Sequence, residues 1–269
     1  MRTESTGHRP RKRFGQHFLE PSWVTKVVKA IDVSPEDSFL EIGPGRGALT
    51  IPLAARAKRV IAVEIDRDLA ASLGQRQIPN LRVVRSDILE VDFADALREE
   101  HLPLRVAGNL PYNISSPILF ALLGAADEGR VFRDATLMLQ KEVADRLVAT
   151  PGEKAYGTLA IQVALWADVE RVLTLPPGAF RPPPKVTSAV VRLSFRPARV
   201  DVGDVRTFEK IVRGIFLQRR KTLANALVSV AETLDQSAAE LLERARVDGR
   251  LRPEALGLEE IARLSRAVL

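Results

Sequence analysis

The sequence predicts an α/β fold, a mostly parallel sheet of about seven strands covered by helices, followed by a small all-helical C-terminal domain. Two observations carry the prediction. From about residue 36 to 140, short β-rich runs alternate with helical patterns, the order that builds a parallel sheet from strand–helix–strand units. Beyond Pro197 the β-rich runs stop, and apolar residues recur only at helical spacing.

The strand runs are, in order, SFLEI (38–42), RVIAVEI (59–65), LRVV (81–84), LRVAGNL (104–110) and ATLMLQ (135–140). Between them, 48–56 and 67–73 have helical composition. After Glu142, a helix through Leu147 gives way to a break at Gly152, and another helix starts near Thr158. Two more β-rich runs, VERVLTL (169–175) and SAVVRLSF (188–195), flank the turn PPGAFRPPPK and are expected to add an antiparallel edge to the sheet. In the C-terminal region Phe208, Ile211, Val212, Ile215 and Phe216 follow the i, i+3, i+4, i+7, i+8 spacing of one buried stripe. Leu223, Leu227, Val230 and Leu234 repeat it, as do Leu258, Ile261, Leu264 and Val268. The implied organisation is a flexible basic arm over 1–13, an α/β domain over 14–198 and a helical domain over 199–269.

With 269 residues, 46% of them hydrophobic, the chain can bury one full-sized core and a second, smaller one. It has no run of about 18 apolar residues, and its basic N-terminus lacks the apolar stretch of a secretory signal, so a soluble, cytoplasmic protein is expected. The absence of cysteine excludes disulfides, thiolate-bound zinc and a cysteine nucleophile. His8, His17 and His101 lie far apart without ligand spacing, so no metal is expected. Forty Lys and Arg against 34 Asp and Glu give a net charge of +6, concentrated in two places. Residues 1–13 hold Arg2, Arg9, Arg11, Lys12 and Arg13 against Glu4 alone, and 171–200 hold six basic residues and no acidic one. A polyanion neutralised there would release counterions and bind in a salt-dependent way.

The first strand run leads directly into Glu41-Ile42-Gly43-Pro44-Gly45-Arg46-Gly47 and then a helix, the place where glycines let a ligand approach the backbone at a sheet's carboxyl edge. Glycines at 43, 45 and 47 do not fit the G-x-G-x-x-G dinucleotide fingerprint. Glu64, near the end of the second run, is placed to accept hydrogen bonds from both ribose hydroxyls of a nucleoside. It would equally pair with Arg67. Asp87, after the third run, is placed to accept from an adenine amine while Ile88 packs on the ring; an N-cap role is the simpler alternative.

Asn109-Leu110-Pro111-Tyr112, after the fourth run, assembles what methylation of an aromatic amine requires. The N6 lone pair of adenine is delocalised into the ring and is a poor nucleophile. The Asn109 side-chain oxygen and the Pro111 carbonyl could each accept one N6 hydrogen, drawing that nitrogen toward tetrahedral geometry. Tyr112 adds a stacking face for a base taken out of its helix. Phe180, on the stiff proline turn, reads either as a second stacking plate, with Arg181 and Lys185 near phosphates, or as a core anchor for the loop.

Taken in order, these residues resemble the bacterial small-subunit ribosomal RNA adenine N6,N6-dimethyltransferases, the KsgA family, from about Arg11 to the C-terminal helices. The likeness includes Arg11 to Leu19, the Glu41 to Thr50 loop, Asn109 to Ser115, Leu139 to Glu142, Phe180 to Val186 and Gln218 to Thr222. It implies a Rossmann-like class I methyltransferase domain and S-adenosylmethionine as methyl donor. It also implies dimethylation of two adjacent adenosines in the 3′-terminal hairpin loop of 16S rRNA, within the small ribosomal subunit or its precursor, and a role in late subunit assembly. The expected assembly is a monomer. Carried over residue by residue, the cofactor contacts are His17, Leu19, Gly43, Glu64, Asp87 and Asn109, with Gln16, Gly45, Ile65 and Ile88 as further candidates. Asn109, Leu110, Pro111, Tyr112 and Phe180 surround the target base. Many relatives have asparagine where this chain has His17.

Four rival readings remain. A DNA adenine methyltransferase usually needs a sizeable element to read base sequence, and about 70 C-terminal residues of near-balanced charge do not supply one. A large-subunit rRNA dimethyltransferase would use the same acceptor motif. A non-catalytic RNA-binding assembly factor would keep the fold as a scaffold. A nicotinamide-dependent oxidoreductase is disfavoured by the glycine spacing.

Overall fold

The computed structural model describes residues 17–98, 100, 102–127 and 131–268; the basic arm over 1–13 and Gln16 lie outside them. The chain forms two compact units. The first runs to Ala144 and resumes over Glu170–Leu193; the second takes Asp145–Val169 and Ser194–Leu269. Sequence reading placed a single boundary at 198/199. The structure instead groups 145–169 with the helical unit, because Tyr156, Ile161 and Leu165 bury their side chains among the C-terminal helices.

In the first unit the chain enters through β1 (Phe18–Leu19) and α1 (Pro21–Ile31) and continues as β2 (Ser38–Ile42), α2 (Thr50–Ala54), β3 (Arg59–Glu64), α3 (Arg67–Gly74) and β4 (Leu81–Arg85). It goes on through α4 (Phe93–Ala96), β5 (Leu104–Asn109), α5 (Ser115–Asp127), β6 (Phe132–Gln140) and α6 (Lys141–Leu147). After α7 (Thr158–Trp166), β7 (Ala167–Leu175), β8 (Phe180–Arg181) and β9 (Ser188–Phe195) complete the strands. Seven of them form one sheet in the order β4-β3-β2-β5-β6-β9-β7, with β7 at the edge and β9 inserted beside it. β1 and β8 pair separately as an antiparallel ribbon.

Strands β4, β3, β2, β5 and β6 pair in parallel. The register sets Ile42 opposite both Val63 and Gly108, Glu64 opposite Arg85, and Asn109 opposite Met138, so these strands end at nearly one level. β3 and β5 flank β2 on opposite sides, which makes the carboxyl ends of β2 and β5 the switch point where a crevice opens. Gly108 lets the two strands approach there: a Cβ on it would lie 2.7 Å from the Ile42 carbonyl oxygen.

Two helices, α1 and α5, carry weak sequence signals. α1 begins with proline at its first turn, a permitted position, and buries Val27, Val28 and Ile31. α5 buries Ile118, Leu119, Leu122 and Leu123 and is apolar on most sides, which erases the helical period. β6 starts at Phe132, three residues ahead of the apolar run, because Arg133 and Asp134 interrupt the pattern.

At the end of the sheet opposite the crevice, Arg105 on β5 is buried with two carboxylates. Its Nε donates to both oxygens of Asp134 at 3.0 Å, and its Nη1 donates to Asp37 at 2.7 Å. The guanidinium also donates to the carbonyls of Ile31 and Asp32 at 2.7 and 2.8 Å, satisfying acceptors that the end of α1 leaves open. Arg133 reaches the same two carboxylates from the surface. Burial opposes ionisation of Asp37, but the Ser34 N–H and the two guanidiniums outweigh it and hold the carboxyl below its ordinary range.

The second unit is helical: α7 packs with α8 (Val205–Leu217), α9 (Leu223–Glu232), α10 (Ala238–Ala245) and α11 (Leu258–Arg266). The three apolar stripes read from the sequence fall inside this core, through Phe208, Ile211, Ile215, Leu227, Ile261 and Leu264. The Tyr156 hydroxyl donates to the Leu256 carbonyl at 2.8 Å, the bond a buried phenol needs.

Replacing Arg105 with methionine would leave Asp37 and Asp134 without their buried counter-charge, with only the half-exposed Arg133 still paired to them. The expected loss is about 3–5 kcal/mol, read as a lower urea midpoint. Because Asp37 titrates below its ordinary value when folded, its contribution is present above that ordinary value and lost as the pH falls through the depressed one. The gap between wild type and variant should therefore narrow in acid.

Candidate active site

The aligned strand ends deliver four segments to one cleft of about 1010 Å³, counted to its open mouth. They are the glycine turn after β2, Glu64-Ile65 after β3, Ser86-Asp87-Ile88 after β4 and Asn109 to Tyr112 after β5, with His17, Phe18 and Leu19 beside them.

The glycine turn is built for close approach. Gly45 has a φ of +57°, and a Cβ there would meet the Phe18 ring at 3.3 Å. The Arg46 guanidinium lies over the same ring, 4.3 Å from its centroid.

Glu64 is 5% exposed. Its Oε2 accepts the Gly45 N–H and its Oε1 the Asp66 N–H, both at 2.9 Å, so each oxygen keeps a further lone pair. Burial raises its pKa, with the two N–H groups opposing. Arg67, the alternative partner suggested by sequence, turns to Asp68 at 3.2 Å instead. Asp87 takes the N-cap role, its Oδ1 accepting the Leu89 N–H at 3.0 Å, and the residue lines the cleft with Ile88.

The Asn109 Nδ2 donates to the His17 carbonyl at 2.8 Å, which commits the amide nitrogen and leaves Oδ1 as the acceptor the group has to offer. Leu110 is buried and anchored by its N–H to the Met138 carbonyl at 3.1 Å. The Pro111 carbonyl, expected to face an incoming amine, already accepts the Ile114 N–H at 3.1 Å. The Tyr112 hydroxyl shares a 2.6 Å hydrogen bond with Ser188, and burial raises its pKa, so the phenol stays protonated. Its ring lies nearly parallel to the His17 imidazole, with centroids 5.6 Å apart and planes at 22°.

Of the two readings left open for Phe180, its placement here matches the core anchor. Its ring is 1% exposed and packs with Leu19, Leu175 and Ala179 in the core, outside the residues that line the cleft. The ring lies on the β1–β8 ribbon, where Leu19 pairs with Phe180 and Phe18 with Arg181. In the Gln218 to Thr222 segment, Arg219 is held within its own unit by Glu254 at 2.7 Å and the Lys154 carbonyl.

Glu41 is the site residue that sequence reading left without a role. It is 2% exposed and lines the cleft, and its Oε2 has no hydrogen-bond partner among the described residues. Burial, with the neighbouring Glu64 charge adding to it and Thr50 opposing, pushes its pKa up to about 8. Its signal was positional, an acidic residue two before the first glycine.

Among the described residues, no group of three or more His, Asp or Glu side chains is arranged to hold a metal ion. No described helix is long and apolar enough to cross a membrane.

Comparison with known proteins gives the site its chemical context. A relative from Magnetococcus marinus, described as ribosomal RNA small subunit methyltransferase A, is 46% identical over 266 residues, covering 97% of this chain and 93% of its own. A relative of the same description from Xanthomonas oryzae is 47% identical over 242 residues, 88% of this chain and 90% of its own. Among solved structures, a dimethyladenosine transferase from Plasmodium falciparum superposes with a TM-score of 0.77 at 27% identity, over 92% of this chain and 96% of its own. The 23S rRNA methyltransferase ErmE superposes with a TM-score of 0.66, also at 27% identity, over 93% and 99%. The family described as ribosomal RNA adenine dimethylase matches residues 7–264, and the chain belongs to that family.

Proposed function

We propose that this protein dimethylates N6 of two adjacent adenosines in the 3′-terminal hairpin loop of 16S rRNA. In this reading it acts as a cytoplasmic monomer on the small subunit or its precursor, late in assembly. The observation that carries the reading is the meeting, in one cleft, of two carboxylates suited to a nucleoside with the acceptor amide of Asn109. Relatives at 46% and 47% identity that are named for the small subunit support that substrate over the large-subunit alternative, for which the likeness to ErmE speaks at 27%.

The cleft fits S-adenosylmethionine. Glu64 keeps free lone pairs for ribose hydroxyls, Asp87 has a carboxylate oxygen beyond its N-cap bond for the adenine amine, and Ile65 and Ile88 line the cleft beside them. Gly43 and Gly45 hold positive φ angles of 67° and 57°, leaving backbone where side chains would intrude. His17 and Leu19 border the same space, and Gln16 is assigned with them by resemblance. When bound, the sulfonium supplies an electrophilic methyl group.

The protein's part is to position the amine and to stabilise the charge that develops on it. Asn109 Oδ1 accepts one N6 hydrogen, its orientation held by the bond from Nδ2 to His17. The second acceptor is a main-chain carbonyl of Leu110 or Pro111; the Pro111 oxygen is already engaged by Ile114, which leaves that of Leu110 the less committed. Both bonds strengthen as nitrogen becomes positive, so they stabilise the transition state more than the ground state. Tyr112, fixed by Ser188, offers its ring to the extruded base.

The direct test is mass spectrometry of nucleosides after incubation with S-adenosylmethionine and undermethylated small subunits, large subunits or duplex DNA. Dimethyladenosine in the small-subunit sample alone is expected; label in another sample would displace the proposed substrate. Asn109→Ala should lower turnover by about a hundred-fold or more while RNA affinity in a filter-binding assay stays within a few-fold. Folded Glu41 keeps its proton up to about pH 8, whereas an unfolded glutamate releases it near 4.5, so wild-type stability declines as pH rises between those values. Glu41→Gln removes that slope, and thermal melts should show the variant gaining on wild type from about pH 5 to pH 8.

A further inference from the structure

S-adenosylmethionine ends in an amino acid, whose ammonium and carboxylate lie beyond the sulfonium. In the reading above, Asp87 after β4 and Glu64 after β3 take its nucleoside. The strand order β4-β3-β2 places the glycine turn after β2 next in line, so the amino-acid end falls beside that turn and β1. The ionisable side chains that line the cleft are mostly acids, Glu41, Glu64 and Asp87. Arg46 is the one Lys or Arg among the described residues that do so. His17 gives its Nδ1–H to the Pro182 carbonyl at 2.7 Å, which in the neutral imidazole leaves Nε2 an acceptor. An anion in the cleft therefore has Arg46 as its counter-charge.

The fold fixes where Arg46 stands. It lies between Gly45 and Gly47, both at positive φ. The Gly45 N–H donates to Glu64 Oε2 and the Gly47 N–H to the Pro44 carbonyl, each at 2.9 Å, so the turn is pinned on both sides of the arginine. Its guanidinium lies over the Phe18 ring, 4.3 Å from the centroid, and Phe18 stands in the chain between His17 and Leu19, which resemblance assigns to the cofactor. A guanidinium stacked by its face directs its N–H donors outward in its own plane, in the fork geometry that matches a carboxylate. We infer that Arg46 binds the carboxylate at the amino-acid end of the donor, with Phe18 as the platform that holds the guanidinium at the cleft. Arg46 is then a specificity residue, which separates the donor from the same sulfonium nucleoside without a carboxylate. It is exposed and also borders the neighbouring hollow with Asp68, Ser72 and Arg76, so solvent and that second carboxylate keep the contact modest. The inference rests on S-adenosylmethionine as the donor and is independent of which RNA is methylated.

The test is titration calorimetry on the full chain without RNA, with S-adenosylmethionine and decarboxylated S-adenosylmethionine as the two probes. Wild type is compared with Arg46→Met, which keeps an apolar side chain against Phe18 and removes the charge. Wild type should bind the decarboxylated probe about 5- to 30-fold more weakly than S-adenosylmethionine. Arg46→Met should raise the Kd for S-adenosylmethionine by about the same factor and leave that for the decarboxylated probe within about two-fold, so that the preference disappears. Unaltered binding of the decarboxylated probe also shows that the variant is folded; should the methionine variant not fold, Arg46→Gln is read in the same way. An equal rise in both Kd values overturns the inference and reduces Arg46 to a support for Phe18. An unchanged Kd for S-adenosylmethionine overturns it as well. Wild type that binds neither probe overturns the choice of donor, and the inference with it.

Discussion

The parallel register of β2 with β3 on one side and β5 on the other is the constraint on which the chemistry depends. A parallel pair has no local turn to fix its register, so alignment comes from burial of both faces and from the crossovers between strands. Here it sets Ile42 against Val63 and Gly108, and Glu64 against Arg85, which brings four loops from distant parts of the chain to one level. A shift of one residue would turn Glu64 and Asn109 to the other face of the sheet. The 2.7 Å clearance at Gly108 shows how closely β5 must lie against β2 for the loops to meet.

The two ends of the sheet handle buried charge in opposite ways. At the amino end, Arg105 is matched by Asp37, Asp134 and two helix-end carbonyls, a fully bonded arrangement that secures α1 and three strands. At the carboxyl end, Glu41 and Glu64 are buried side by side with no cation bonded to either among the described residues, and burial raises both pKa values. Burial keeps the Glu41 carboxyl protonated up to about pH 8, and Glu64 is bonded by the Gly45 and Asp66 N–H groups, so the pair is not two bare charges.

Legibility in the sequence varied with the range of the interaction responsible. Strands β2 to β5 were readable because each is a compact apolar run, and α8, α9 and α11 because each buries one stripe. α5 was hidden because a helix apolar on most sides has no period, and α1 because its stripe follows a proline in a segment read mainly for its motif. The two-residue strands β1 and β8 pair across some 160 positions and leave no local trace. The grouping of 145–169 with the helical unit is likewise a matter of which core Tyr156, Ile161 and Leu165 join, and an apolar residue does not name its core.

By itself, the sequence determined the fold class, the glycine turn after β2 and which short segments follow the strands, because each is encoded within a few consecutive residues whose chemistry is local. Only the tertiary structure decided that Phe180 is buried, that the Asn109 nitrogen is bound to the His17 carbonyl and that burial raises the pKa of Glu41. These depend on partners contributed from far along the chain: Leu19 and Leu175 cover Phe180, His17 binds the Asn109 nitrogen, and Glu64 lies beside Glu41. Burial and hydrogen-bond competition are settled by the whole fold, so the residue types of the site were legible while their roles were not.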